Sequence, residues 1–260
     1  MIPGREIKEQ ARALGVPPST IERDYVQNWF LAALRPVNMA LKGGTGIRKV
    51  FIEEYRFSDD LDFTLLEPIE TDALQSSVIN AMTWVRDECG IQFEDDIGFR
   101  QTRNGFKATT RFRILHRGTI SPIKIDLDLT DSDSEQLLLP VSERRIFHHY
   151  SDGLESTVAS YSLEEIMAEK IRSIFQRTRS RDLYDIDQLA GRVNHGIVRS
   201  IIHRKCELKQ VVVDPGMLQA KRDQFASLWQ ISLGHQIRNI PDFDIAFENV
   251  VRAIENYSLT

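Results

Sequence analysis

The chain has 260 residues, 42% of them hydrophobic and 27% charged, with a formal net charge of −5. That length gives one large domain or two modest ones, and the negative balance excludes a generally basic nucleic-acid coat while leaving room for a local basic groove. No apolar run approaches the ~20 residues of a membrane span, and the N-terminal MIPGREIKEQARALG lacks the apolar core of a secretion signal, so the expected location is cytoplasmic. The two cysteines, Cys89 and Cys206, lie far apart and are expected as free thiols. The six histidines show no zinc-type spacing.

Residues 4–15 read as a short helix ended near Gly15 and broken by Pro17-Pro18. Ser19-Thr20-Ile21-Glu22 has the form of a capping box and predicts a helix from about 20 to 34, with Ile21, Tyr25 and Trp29 inward. Arg23 and Asp24 read as surface charges. The apolar run Val37–Leu41 predicts a buried strand, followed by Gly43-Gly44-Thr45 and a helix over 45–52. Paired glycines let backbone approach a ligand closely, and their amides at a helix start suit phosphate. Arg48 and Lys49 could reach such a phosphate, with a solvated face expected for at least one of them. Asp60-Leu61-Asp62-Phe63 alternates with period two, which on a strand sets both carboxylates on one face and both apolar side chains on the other. A hard divalent cation such as Mg²⁺ relieves the repulsion of such a pair. A lone Gly-Gly is usually a turn, and a lone Asp-x-Asp is usually a solvated edge. The two in this order, behind an apolar strand, are what metal-assisted phosphoryl or nucleotidyl transfer needs.

Leu74, Val78, Ala81 and Val85 predict a helix over 70–90, with Gly90 as its stop and Cys89 as a packing residue. Residues 91–99 and 106–116 read as strands. In the second, Phe106, Ala108, Thr110, Phe112 and Ile114 alternate with a basic face, after a turn at Arg103-Asn104-Gly105. Ser121–Leu129 is the next strand, with Lys124, Asp126 and Asp128 on one face. Pairing of that face with the basic face of 106–116 is the plain structural role for Asp126. The alternative, functional reading makes it a third carboxylate beside Asp60 and Asp62, with Asp128 as the second choice. The acidic, irregular stretch 130–152 predicts a change of subdomain, and from 160 the pattern is helical. Ser162-Leu163-Glu164-Glu165 is a second capping box, and Leu163, Ile166, Met167, Ile171, Ile174 and Phe175 form the stripe behind it. Lys170 falls at the edge of that stripe, where a lysine commonly snorkels to water. Asp182 and Asp185 share a helix face within a basic run that includes Arg172, Arg177, Arg179 and Arg181. That run is either a charged surface helix or a wall for triphosphate or RNA phosphates. Helices over about 193–205, 215–231 and 242–257 read as structural, the last with Phe243, Ile245, Phe247, Val250, Val251 and Ile254 on one face.

Taken in order, LKGGTGIRK, RFSDDLDF, IKIDLDL and MAEKIRSIFQRTRSRDLYDI resemble the AbiEii/AbiGii toxin family, and IERDYVQNWFLAAL is similar to that family's early helix. The resemblance implies an α+β fold: a polymerase-β-like nucleotidyltransferase core with a mixed β-sheet over 1–150, then a helical domain over 151–260 that contributes to the active-site cleft. It implies the toxin of a bacterial toxin–antitoxin or abortive-infection system. That toxin would move a nucleoside monophosphate from a nucleoside triphosphate (NTP) to the 3′ end of tRNA with Mg²⁺. By the same resemblance Gly43, Gly44 and Thr45 are the nucleotide cradle, joined by Arg48, Lys170 and Arg181. Asp60, Asp62 and Asp126 are the metal-binding and catalytic acids, and Lys170 and Asp182 complete the catalytic set. A cognate antitoxin is the implied protein partner. Two other readings stay open: a module that binds nucleotide or antitoxin without catalysis, and a small-molecule (antibiotic) nucleotidyltransferase.

Overall fold

Two helices open the chain, α1 (Gly4–Leu14) and α2 (Pro18–Ala33). The structure is a computed structural model and describes residues 1–102, 105–114, 123–130 and 137–257. The turn expected at Arg103-Asn104 lies outside the described residues. Helix α2 begins at Pro18, with Pro17 at the N-cap and no side-chain cap. Proline at the first helical position has the φ a helix needs, so the helix starts ahead of Ser19 and the expected capping box is not used. The helix is buried nearly all round, including Glu22, Asp24, Gln27 and Asn28.

Strand β1 (Met39–Lys42) is wholly buried and runs straight into the helical turn α3 (Gly43–Gly46), which widens into a π-helical turn over Ile47–Phe51. The other strands are β2 (Leu61–Leu65), β3 (Gln92–Phe93), β4 (Gly98–Thr102), β5 (Gly105–Arg113), β6 (Ile123–Thr130), β7 (Ser142–Arg145) and β8 (Thr157–Ser160). Neighbours in the sheet follow the order β3-β5-β6-β2-β1-β8-β7, and β4 also pairs with β5. Strand β1 is antiparallel to β2 and parallel to β8, and β2 is parallel to β6, which gives the mixed sheet. Between β2 and β3 runs α4 (Thr71–Cys89), which ends at Gly90.

The alternation read from the sequence sets the core. Leu61 and Phe63 of β2, Phe106, Ala108 and Phe112 of β5, and Leu127 and Leu129 of β6 are all buried. The basic face of β5 meets β6 less simply than expected. Lys107 stands opposite Asp128 and Thr109 opposite Asp126, but Arg111 stands opposite Lys124. Arg111 instead comes within 4.0 Å of Glu94 on an exposed edge.

Two compact units divide the chain: Met1–Glu135 with Val141–Ser160, and Gln136–Pro140 with Tyr161–Thr260. Strand β7 lies within the stretch read as irregular and β8 just beyond it, so the sheet takes in more of the chain than that stretch suggests. The second unit holds α5 (Leu163–Gln176), α6 (Ser180–Leu189), α7 (His195–Leu208), α8 (Pro215–Ala220), α9 (Arg222–Leu233) and α10 (Phe243–Glu255). The capping box at α5 is used: Ser162 Oγ accepts from the Glu165 amide at 3.2 Å. Glu165 in turn accepts from the amides of Leu138 and Leu139 at 3.1 and 2.9 Å and pairs with Lys205 at 2.5 Å, which ties residues 138–139 to α5. The helix expected over 215–231 is two helices. Lys221 between them sends its ammonium to the Phe175 carbonyl, 2.9 Å away at the C-terminal end of α5, where a cation satisfies the last carbonyls. In α10 Phe247, Val250 and Ile254 are buried while Ile245 is 63% exposed, because two helical residues apart point to opposite sides. Both cysteines are free and buried. Among the described residues no helix is long and apolar enough to cross a membrane.

Candidate active site

Strand β1 delivers its glycines against the start of β2. Gly43 has φ +67°, and a Cβ there would lie 2.8 Å from Asp62 Oδ2. At Gly44 a Cβ would lie 2.7 Å from the Arg56 guanidinium and 3.2 Å from Ser58 Oγ. Position 43 therefore needs glycine twice, for its left-handed backbone and for the carboxylate against it. The first helical turn behind β1 and the acids of β2 form one tightly fitted corner.

Asp60 and Asp62 are half-buried, while Leu61 between them is buried, as the alternation requires. Register sets Asp62 opposite Lys42 on β1 and opposite Asp128 on β6. Asp126, two residues earlier on β6, is half-buried and its Oδ1 accepts from Thr109 Oγ1 at 2.7 Å. Both of the acids considered for the third position thus lie on the strand beside β2. Thr45 is wholly buried, and its hydroxyl donates to the Asp60 carbonyl. Among the described residues no group of three or more His, Cys, Asp or Glu converges as a metal cluster. The donor chemistry nonetheless fits Mg²⁺, which takes one or two carboxylates and fills its other positions with water and substrate phosphate oxygen.

Arg48 and Lys49 are used differently from what the sequence suggests. Arg48 Nε meets Asp24 Oδ1 at 2.6 Å, its Nη1 donates to the Tyr55 carbonyl, and its guanidinium lies 3.6 Å from the Phe57 ring centroid. Lys49, wholly buried, meets the same Asp24 oxygen at 2.7 Å and the Asp24 carbonyl at 2.8 Å. Neither has a solvated face, and Asp24 is not a surface charge. Tyr150 completes the group by donating to Asp24 Oδ2 at 2.8 Å. Burial alone would raise the Asp24 pKa, but the charges of Arg48 and Lys49 outweigh it and hold the carboxyl well below the usual range. Burial draws the Lys49 ammonium down to about 8 against the pull of Asp24.

Further along α2 the same helix holds a distant loop. Tyr25 and Trp29 donate to Asp152 at 2.6 and 3.2 Å, and Asn28 donates to the Phe147 carbonyl at 3.1 Å. This buried polar face is not legible in the sequence. Its partners lie more than a hundred residues away, and no local spacing marks them. Arg56 and Lys42 are the other neighbours of the glycine–acid corner to which the sequence assigned no role.

In the second unit Lys170, Asp182 and Asp185 converge. Lys170 Nζ is 2.7 Å from Asp182 Oδ1 and 2.7 Å from Asp185 Oδ2, and Arg177 Nε is 3.0 Å from Asp182 Oδ2. All but Arg177 are buried, so Lys170 does not snorkel to water. Burial would raise Asp182, but Lys170 and Arg177 hold it well below the usual range. The i, i+3 spacing on α6 is what turns both carboxylates to one lysine. Arg181, beside Asp182, is half-buried.

The profile of a family described as nucleotidyl transferase AbiEii toxin, type IV toxin–antitoxin system, matches residues 29–252. No curated protein matches the chain in sequence. Solved structures that share the fold include the following three. MenT4, a nucleotidyltransferase toxin from Mycobacterium tuberculosis H37Rv, is 18% identical, with 99% of this chain and 90% of that chain covered and a TM-score of 0.68. JHP933 from Helicobacter pylori is 17% identical, with 93% of each chain covered and a TM-score of 0.60. A protein described as a putative nucleotidyltransferase from H. pylori is 18% identical, with 92% of this chain and 94% of that chain covered and a TM-score of 0.62.

Proposed function

The chain belongs to the AbiEii family, the nucleotidyltransferase toxins of type IV toxin–antitoxin systems, and from that premise we propose that it moves a nucleoside monophosphate from an NTP to the 3′ end of tRNA. The observation that supports nucleotidyl transfer is the corner where Gly43 leaves only 2.8 Å between its missing Cβ and the Asp62 carboxylate, while the tRNA acceptor rests on the family resemblance. A phosphate drawn to the Gly43–Gly44 backbone lands beside the β2 acids. Asp60 and Asp62 would hold Mg²⁺, with Asp126 or its neighbour Asp128 as the third acid. Bound there, the ion would supply charge neutralisation on the triphosphate and acidify the attacking hydroxyl.

The chain's own residues do the rest. The Gly43 and Gly44 amides cradle phosphate oxygen, and Thr45 holds the Asp60 backbone through its carbonyl. Arg56 and Lys42 add positive charge beside the acids, where charge grows on the phosphates as the bond to pyrophosphate breaks. The acceptor hydroxyl attacks the α-phosphorus, its proton passes to water, and pyrophosphate leaves. The roles that the resemblance gives Lys170, Arg181 and Asp182 remain part of the proposal. The guanidinium of Arg48 already serves Asp24, so its part is to brace the helix behind the glycines. A cognate antitoxin and a cytoplasmic location follow from the same family reading.

The test is a transfer assay on the purified protein with total tRNA and each α-labelled NTP in turn, with Mg²⁺ or with EDTA. Label in the tRNA band that needs Mg²⁺ is the expected result and names the nucleotide. Folded protein that labels no tRNA with any of the four would overturn the tRNA reading, and label retained in EDTA would overturn the Mg²⁺ reading.

A further inference from the structure

Asp60 stands one residue ahead of β2, so the strand pairing that sets Asp62 against Lys42 begins just after it. The approach to Asp60 is set by side chains. Gln27 Nε2 donates to the Ser58 carbonyl at 3.1 Å, Arg23 Nη1 pairs with the Asp59 carboxylate, and Thr45 Oγ1 donates to the Asp60 carbonyl. Three consecutive residues are each held by a side chain, and Gln27 and Arg23 reach Ser58 and Asp59 from α2. Gln27 is wholly buried, and its Oε1 has no partner among the described residues. An unsatisfied buried amide oxygen is unfavourable, so packing alone would favour leucine or methionine there. What the buried amide supplies is its bond to Ser58. Arg23 and Gln27 also precede residue 29, where the match to the family begins.

We propose that Arg23 and Gln27 are positioning residues for the β2 acids: they clamp Ser58 and Asp59 and so fix where the Asp60 carboxylate stands beside Asp62. The inference rests on the reading of Asp60 and Asp62 as the cation-holding pair. Neither side chain need touch nucleotide or cation. Groups that orient a ligand from behind typically change metal affinity about 10- to 100-fold when removed.

The experiment is a Mn²⁺ titration of the full-length protein without nucleotide, followed by electron paramagnetic resonance of the free ion. Wild type, Asp60→Asn, Arg23→Ala, Arg23→Lys and Gln27→Leu are compared, with a thermal melt of each. Asp60→Asn is expected to abolish tight binding. Arg23→Ala and Gln27→Leu should each weaken it about tenfold, and Arg23→Lys should return most of the affinity by restoring the charge opposite Asp59. Folded Arg23→Ala and Gln27→Leu proteins that bind Mn²⁺ like wild type, whatever their melting temperatures, overturn the positioning role while Asp60→Asn still upholds the site. Lysine no better than alanine at position 23 overturns the charge clamp. Binding unchanged in Asp60→Asn overturns the site reading, and the positioning role with it. Should Gln27→Leu fail to fold, Arg23, whose side chain is only half-buried, decides the matter through its alanine and lysine variants.

Discussion

Asp24 in the first unit and Asp182 in the second are both buried carboxylates held below their ordinary range by a lysine and an arginine, yet they are built in opposite ways. Asp24 serves alone: Arg48, Lys49 and Tyr150 all converge on it, so one carboxylate answers two cations. In the second unit two carboxylates share Lys170, and Arg177 at the edge is 46% exposed. Among the described residues the Asp24 cluster has no second carboxylate. The Lys170 cluster has one, because Asp185 remains if Asp182 is lost. Redundancy of this kind decides what a substitution costs, since a buried ion stripped of its only partner is far more expensive than one that keeps another.

The largest expected difference follows directly. Asp24→Asn leaves Lys49 buried without its counter-charge and should destabilise the fold by about 3–5 kcal/mol. Asp182→Asn leaves Lys170 with Asp185 and should cost about 1.5–3 kcal/mol, the range for hydrogen bonds to a charged group. Urea unfolding of the two variants measures both. Equal losses would show that Asp185 gives no cover.

Acid should act on both clusters. Each carboxylate has a folded pKa below its unfolded value, near 3.9 for aspartate, so the unfolded chain binds more protons as pH falls. The stability they lend is fully present above about pH 4 and is lost as pH drops through the lower folded values. Unfolding midpoints between pH 6 and pH 2 should fall less steeply in Asp24→Asn and in Asp182→Asn than in wild type. Identical slopes would remove the depressed carboxyls as the cause.

A smaller effect is expected where α5 begins. Ser162→Ala removes the cap bond to Glu165 and should cost about 1 kcal/mol. Ile245→Ser, on the exposed side of α10, should stay within about 0.5 kcal/mol. Those two sharpen the second unit's part of the comparison, because a large loss at Ile245 would mean that this side of the helix is covered in solution.

The same contrast explains what could be read from residues alone. The Lys170 group is written locally: Asp182 and Asp185 are one helical turn apart, and Lys170 sits on the preceding helix. The Asp60–Phe63 alternation is likewise local and set both the buried and the half-buried face of β2. The Asp24 group is assembled from positions 24, 48, 49 and 150, and a single acid near a helix start looks like a surface charge until those partners are in place. Ser19 misled for a different reason. Its spacing to Glu22 is that of a capping box, but proline had already started the helix. Strands β7 and β8 carry little alternation, and β8 gains its place by pairing with β1 across more than a hundred residues. The glycine–acid corner was legible as a pattern. That Gly44 also makes room for Arg56 was not, since only the fold brings that side chain over it.

The β2 acids are tested most directly by comparing Asp60→Asn with wild type for label transferred from an α-labelled NTP, at matched melting temperature. A loss of at least about a thousandfold is the expected result, because removing a carboxylate that would hold the ion takes away the charge neutralisation the transfer needs without unfolding the protein. Transfer by Asp60→Asn at the wild-type rate would contradict the assignment of the reaction to this corner of the sheet.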